Sequence, residues 1–294
     1  MISSLLDRTL ALTFLNLGTL LRVGWPFLAA LVALDLYIGV KLFDTRDFMT
    51  LSYLSGAPAP SIDEDGLVLL AIFANVSSGF IIATAYLRTL LAGAPVFSLN
   101  LLIGSLAVFM KFVTLGFIGL IAAGIGTAVT FILFSILLNL MPDAMIGNDM
   151  DAFGYSLGLT IFVGSAFLTL LLAQRFALVL PAAAIGDPLT YRESWHATRG
   201  LGASFSMTGL LMCLIAVVFL AILGGLIYGI VSFEISQLSK QLLVVTLAPL
   251  GTLVIIVWIF ASLHAAQYHF VRENYAARLE FGHDERELDE LANG

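Results

Sequence analysis

The chain has 294 residues, of which 60% are hydrophobic and only 11% charged, and its mean hydropathy is +1.02. Soluble chains are about half apolar and about a quarter charged, so these values exclude an ordinary soluble domain and indicate a polytopic membrane protein. The formal net charge of −7 does not by itself point to a basic or acidic partner, because it sums loops on two sides of a membrane, and the single cysteine, Cys213, excludes an intrachain disulfide framework.

Residues 2 to 21 are leucine-rich but are interrupted by Ser3, Ser4, Asp7, Arg8, Thr9, Thr13 and Asn16. The pattern predicts an interfacial helix leading into the first span, and no cleaved signal is expected because no basic leader precedes a small-residue cleavage site. The first span is predicted over 25–43, apolar except for Asp35 and Lys41. The stretch 55–66, with its prolines and the acidic trio Asp63, Glu64 and Asp65, reads as an exposed loop. A second span is predicted over 67–91, with Asn75 near its middle and Arg88 near its end, before Ala94 and Pro95.

Residues 99 to 140 hold Lys111 as their one charge. About 20 residues cross a ~30 Å hydrocarbon core, so this run is expected to divide into a surface helix over 98–111 and a third span over 112–138. A polar loop with Asp143, Asp149 and Asp151 follows, then a fourth span over 154–180 that carries Gln174 and Arg175 and turns at Pro181. Beyond the turn a surface helix is predicted over 188–199, with Asp187 as its cap, Pro188 in its first position and Gly200 as its left-handed stop. At about 100° per residue, Arg192, His196 and Arg199 share one face with Tyr191 and Trp195 beside them, while Thr190, Ser194 and Ala197 point elsewhere. The fifth span is predicted over 204–231 and the sixth over 242–265. Residues 1–270 thus form one membrane domain. Residues 271–294 form a helix leaving the membrane and an acidic tail, in which Asp284, Glu285, Glu287, Asp289 and Glu290 outweigh Arg286.

The fold class is therefore all-α, with six transmembrane helices and surface helices between them. Ten of the basic residues, Arg8, Arg22, Arg88, Lys111, Arg175, Arg192, Arg199, Arg272, Arg278 and Arg286, fall on one side of this scheme and Lys41, Arg46 and Lys240 on the other. The positive-inside rule then places both termini and the surface helices in the cytoplasm. Arg88 precedes Pro95 by seven residues and Arg175 precedes Pro181 by six, and each pair is followed by a surface helix and a span. Two readings fit: a parallel two-span repeat, or the tendency of any helix leaving a bilayer to collect arginine and proline.

Asp35 lies about nine positions from either end of its span, where a carboxylate costs roughly 2.5 to 3.5 kcal/mol on insertion scales. One reading is a proton or cation site, or a charge pair with Arg88 or Arg175. Others are a neutral, hydrogen-bonded Asp35 in a helix interface with Asn75, or a span shifted so that Asp35 nears the outer surface. Arg88 and Arg175 can snorkel to phosphates, bond carbonyls freed at the Pro95 and Pro181 breaks, or bind lipid headgroups. Arg192, Trp195, His196 and Arg199 extend that contact with lipid or a partner along the surface. His264 and His269 are separated by about 140° on a helix, which spoils a shared metal site, so no metal is expected. Gly154 with Gly158, and Gly225 with Gly229, are expected to mark tight helix packing. The sequence carries no HExxH, GxSxG, phosphate-cradling glycine loop or paired-cysteine site, so neither catalysis nor a cofactor is expected. Basic residues spread along a membrane surface beside an acidic tail do not suit nucleic acid.

At Arg175, Pro181, Ser194 and Arg199-Gly200 the sequence resembles a group of bacterial inner-membrane proteins. The group comprises the YciC-like family and the membrane domain that precedes some glycerophosphodiester phosphodiesterases. The resemblance covers the six-span layout and is specific over about thirty residues. Gly186 and Asp187 depart from it, standing where an acidic residue followed by a small or basic pair is commoner. It implies a bacterial inner-membrane protein that supports envelope homeostasis or an accessory to a membrane complex, with lipids, another membrane protein or a second copy as partners. The enzymatic half of the association is not expected to carry over. A small transporter or channel using Asp35, Asn75, Arg88 and Arg175 is the alternative.

Overall fold

A computed structural model describes residues 2–45, 62–93, 99–140, 173–187, 189–233 and 237–274. These are all-helical, and five of the helices are long and apolar enough to cross a membrane. The protein is thus a helical membrane protein. The elements are α1 (Ile2–Leu15), α2 (Leu17–Thr45), α3 (Ile62–Ala92), α4 (Leu99–Leu140), α5 (Val179–Ile185), α6 (Tyr191–Ala197), α7 (Gly202–Val231) and α8 (Gln237–Asn274).

α8 is the element on which the bundle is assembled, with α1, α2, α3 and α7 all packed along it. α1 ends where its last carbonyls find side-chain donors. The Asn16 amide donates to Leu12 O, and the Trp258 indole N–H of α8 donates to Thr13 O, which meets the demand of carbonyls that a helix end leaves without partners. Leu5, Thr9 and Thr13 form the buried stripe of α1, four residues apart as a helix face requires. The Thr9 and Thr13 hydroxyls bond back to Leu5 O and Thr9 O, so polar side chains are carried in a buried face without unsatisfied donors. Phe14, Phe219 and Trp258 then join α1, α7 and α8, with Trp258 edge to face against both phenylalanines and those two tilted on each other.

Several sequence expectations change at this level. The first span does not begin at Trp25 and Pro26. α2 starts at Leu17 and carries Pro26 in its interior, a position that membrane helices tolerate when packed neighbours hold them. Residues 98–111 are not a separate surface helix either. α4 is one continuous helix of 42 residues, about 63 Å long at 1.5 Å per residue, because no proline or charge cluster interrupts it between Leu99 and Leu140. Among its residues whose burial is described, those buried lie in its first turns, at Leu101, Gly104, Ser105 and Val108, against α3 and α5. The surface helix after Pro181 is also shorter than expected: α6 spans Tyr191–Ala197, with Thr190 as its cap.

The second, fifth and sixth spans fall within α3, α7 and α8. The acidic trio Asp63, Glu64 and Asp65, expected in a loop over 55–66, lies instead in the first turn of α3, which starts at Ile62. The fourth span, 154–180, lies mostly outside the described residues, as do Gly154 and Gly158, the rest of that loop, the loop with Asp143, Asp149 and Asp151, and the C-terminal tail. Close helix approach depends on other glycines than the expected pair. A Cβ on Gly79 would meet Leu253 Cδ1 at 2.6 Å and one on Gly251 would meet Leu223 Cδ2 at 2.6 Å, whereas Gly225 and Gly229 have nothing within 4 Å of theirs.

Candidate functional site

The polar residues singled out in the sequence fall into two separate groups. The larger surrounds the break before Pro181. A proline ring clashes with the carbonyl four residues earlier, here that of Ala177, and the helix accordingly turns at Ala177 and Leu178 and restarts as α5 with Pro181 in its first turn. α5 ends at Gly186, whose φ of 82° is left-handed, with the Asp187 amide donating to Ala182 O, a glycine-terminated helix end.

Arg175, in the turn before the break, is the centre of this group. Its guanidinium carbon lies 3.6 Å from the centroid of the Trp195 ring, and its Nη2 donates to Trp195 O at 3.3 Å. Its own carbonyl accepts from Ser194 Oγ at 2.8 Å, and Thr198 Oγ1, whose single proton has a shorter acceptor in Ser194 O at 2.8 Å, lies 3.2 Å from it. One residue therefore grips α6 by both side chain and backbone. Gly202, at the start of α7, leaves the room: a Cβ there would meet Arg175 Cδ at 3.5 Å. Phe176 packs against Tyr191 and Trp195, and Tyr191 donates to Lys111 O at 2.7 Å while the Lys111 ammonium lies 5.0 Å from its ring. Burial raises the pKa of Tyr191, with a hydrogen bond to Thr114 opposing the shift, so the phenol keeps its proton and remains a donor.

Asp187 does not cap α6. That place is taken by Thr190, whose side chain accepts from the Glu193 amide while Glu193 Oε2 accepts from the Thr190 amide at 2.6 Å, a capping box that ties off two free amides at once. Asp187 instead accepts from the Tyr268 hydroxyl of α8 at 2.6 Å. A second tie to α8 is deeper: Gln267 Nε2 donates to Gln174 Oε1 at 2.7 Å, and Gln267 Oε1 pairs with His264 Nδ1 at 3.2 Å. Gly209 on α7 makes space for it, since a Cβ there would come within 3.0 Å of Gln174 Nε2. The outcome is an amphipathic α6. Glu193, Ser194 and Ala197 are buried, Tyr191 and Trp195 are half-buried, and Arg192, His196 and Arg199 are exposed. The expected basic face is carried by the helix only in part: Arg192 and His196 are on α6, and Arg199 lies in the turn that follows it. Gly200 is left-handed, with φ of 80°, and lies in the turn between α6 and α7.

Arg88 plays a related part on α3. It donates through Nη1 to Asn100 O in the first turn of α4 at 3.1 Å. Each arginine thus holds a backbone carbonyl of a later helix, Arg88 that of the next helix and Arg175 that of α6, beyond α5. The correspondence stops there, because α4 continues unbroken where α6 gives way to α7.

The second group is Asp35 and Asn75. Asp35 is 2% exposed, and its Oδ1 accepts from Asn75 Nδ2 at 3.2 Å. Asn75 Nδ2 also donates to Ala71 O at 3.0 Å. No charge pair joins Asp35 to Arg88 or Arg175, whose guanidinium groups bond the carbonyls of Asn100 and Trp195. Asn75 and Arg88 are 13 residues apart on one helix, about 20 Å.

Ser194 stood out in the sequence, but its clamp with Thr198 on Arg175 was not foreseen. The spacing of two hydroxyl residues four apart on the face opposite the basic one is the signal that carries it. Gln267 and Tyr268 had no such signal, because their partners lie 93 and 81 residues away. Among the described residues no group of three or more His, Cys, Asp and Glu side chains is placed to hold a metal. No protein-family model, curated protein or solved structure matches the chain.

Proposed function

We propose that this chain is a non-catalytic integral protein of a bacterial inner membrane that organises lipid or a partner membrane protein through the surface built around α6. The observation that carries this reading is the way α6 is held. Ser194, Thr198 and Trp195 hold it against Arg175 and the segment before Pro181, the capping box closes its own start, and the helix so held leaves Arg192 and His196, with Arg199 in the turn after it, exposed. A rigid helix with an apolar and hydroxyl inner face and a basic outer face is suited to phosphate headgroups or an acidic partner surface at the membrane boundary. Support of envelope homeostasis, or an accessory role in a membrane complex, follows from this reading together with the resemblance to the YciC-like group.

The test is purification from native membranes in a mild detergent, followed by mass spectrometry of what remains bound. Anionic lipid or a partner chain retained by the wild type, and lost when Arg192, His196 and Arg199 are replaced together by alanine, supports the proposal. Identical bound material in both proteins counts against it.

A second reading, a small transporter or channel, is favoured by the burial of Asp35 against Asn75. In that reading Arg88 and Arg175 are positioning residues outside the path, because each is engaged with backbone. Flux of protons or cations into proteoliposomes, abolished by Asp35→Asn, is its test. Equal flux in both proteins would remove it.

A further inference from the structure

Asp35 and Asn75 form a pair that is one hydrogen short. Asn75 carries two N–H donors and both are used, one on Asp35 Oδ1 and one on Ala71 O. The bond to Ala71 O also fixes which end of the carboxamide is nitrogen. What remains is two acceptors: Asp35 Oδ2 and Asn75 Oδ1 are both buried without a hydrogen-bond partner. Two orphaned oxygens in one pair, on a buried Asp35 and a half-buried Asn75, is a costly arrangement, since a buried acceptor forfeits its hydration without compensation.

The charged groups of the surrounding elements do not relieve it. Arg88 on α3 bonds Asn100 O and His264 on α8 pairs with Gln267. Lys41 is six residues further along α2, which turns it about 120° away from Asp35, and the hydrogen bond from Asn75 is the polar contact Asp35 makes among the described residues. A metal ion is a poor fit. Hard cations take about six or more oxygens, and this pair has two to give.

We propose that Asp35 is a proton-binding site, occupied at neutral pH, with the hydrogen on Oδ2 donated to Asn75 Oδ1. One proton then satisfies both orphaned oxygens and closes a carboxylic acid–carboxamide ring with two parallel hydrogen bonds between α2 and α3. Uptake converts a carboxylate to a neutral acid; release leaves two acceptors facing each other and weakens the helix contact. The site therefore links protonation to the packing of α2 on α3, whether or not anything is transported.

Infrared spectra of the protein reconstituted in lipid, recorded in heavy water at neutral pH, test this. The wild type is expected to show the C=O stretching band of an un-ionised carboxylic acid that Asp35→Asn lacks. Isotopically labelled aspartate is expected to shift that band in the wild type, an arm that needs no variant to fold. Asn75→Ala should move the band to the higher frequency of an acid carbonyl outside a ring. Spectra of wild type and Asp35→Asn that superimpose in the acid region, or a wild-type acid region unmoved by the label, would overturn the proposal, and an unmoved band in Asn75→Ala would overturn the ring.

Discussion

Arg175 stacks on Trp195 at 3.6 Å and donates to the carbonyl of the same residue. The planar guanidinium can do both at once, whereas an ammonium cannot combine the stacking with the directed bond. Arg175→Lys is therefore expected to loosen α6 although charge is retained. A loss of about 0.5 to 2 kcal/mol is the scale of a partly desolvated cation–π contact. Thermal unfolding in detergent should show it, together with faster proteolysis near residues 187–201. An Arg175→Lys protein as stable and as resistant as the wild type would mean that the stacking contributes nothing.

The Arg175 carbonyl accepts from Ser194 Oγ and has Thr198 Oγ1 in reserve at 3.2 Å, its proton shared with Ser194 O, and the consequence is non-additivity. Ser194→Ala or Thr198→Val alone leaves the other hydroxyl in place and should cost little. The double variant removes both and should cost about 1 to 3 kcal/mol, the penalty for a buried polar group left unpaired. Equilibrium denaturation of the three proteins distinguishes this from two independent losses.

Gly209 and Gly225 lie on the same helix and are expected to respond oppositely to alanine. At Gly209 the added Cβ presses on Gln174 and displaces it from Gln267, so Gly209→Ala should destabilise by about 1 to 3 kcal/mol. Gly225→Ala meets open space and should be neutral or gain up to about 1 kcal/mol from helix propensity. A large loss at Gly225 would indicate that this face packs against another chain.

A double-mutant cycle with Asp35→Ala and Asn75→Ala is expected to yield a favourable coupling of about 0.6 to 1.7 kcal/mol, the range found for hydrogen bonds between membrane helices. Strictly additive losses would show that α2 and α3 are not joined through this pair.

The six-span topology with both termini inside predicts that a cysteine probe at Ser61 or Gly147 reacts with an impermeant reagent from outside and that one at Ser194 does not. The native Cys213 should first be replaced. Labelling of Ser194 from outside would reverse or break the scheme.

The sequence by itself determined that the chain is helical and membrane-embedded, because an apolar run of about 20 residues has few other ways to satisfy its backbone groups in hydrocarbon. It also determined that Arg192 and His196 share a face of α6, since helical periodicity alone brings them together, although Arg199 falls in the turn beyond the helix, and it marked Pro181 and Gly200 as breaks. Local rules failed where two continuations were equally allowed. The run from Leu99 to Leu140 has no residue that must stop a helix, and only the packing of its first turns on α3 and α5 decides that it runs straight on from them. Asp187 and Thr190 are both good caps; the choice fell to Thr190 because Tyr268, 81 residues away, takes the Asp187 carboxylate. The pairing of Asp35 with Asn75, and not with Arg88 or Arg175, was likewise a tertiary outcome. Helix periodicity fixes which face a side chain occupies, but the register of one helix against another is set by how the whole bundle packs, and that register put the carboxylate beside an amide and left both arginines to the backbone.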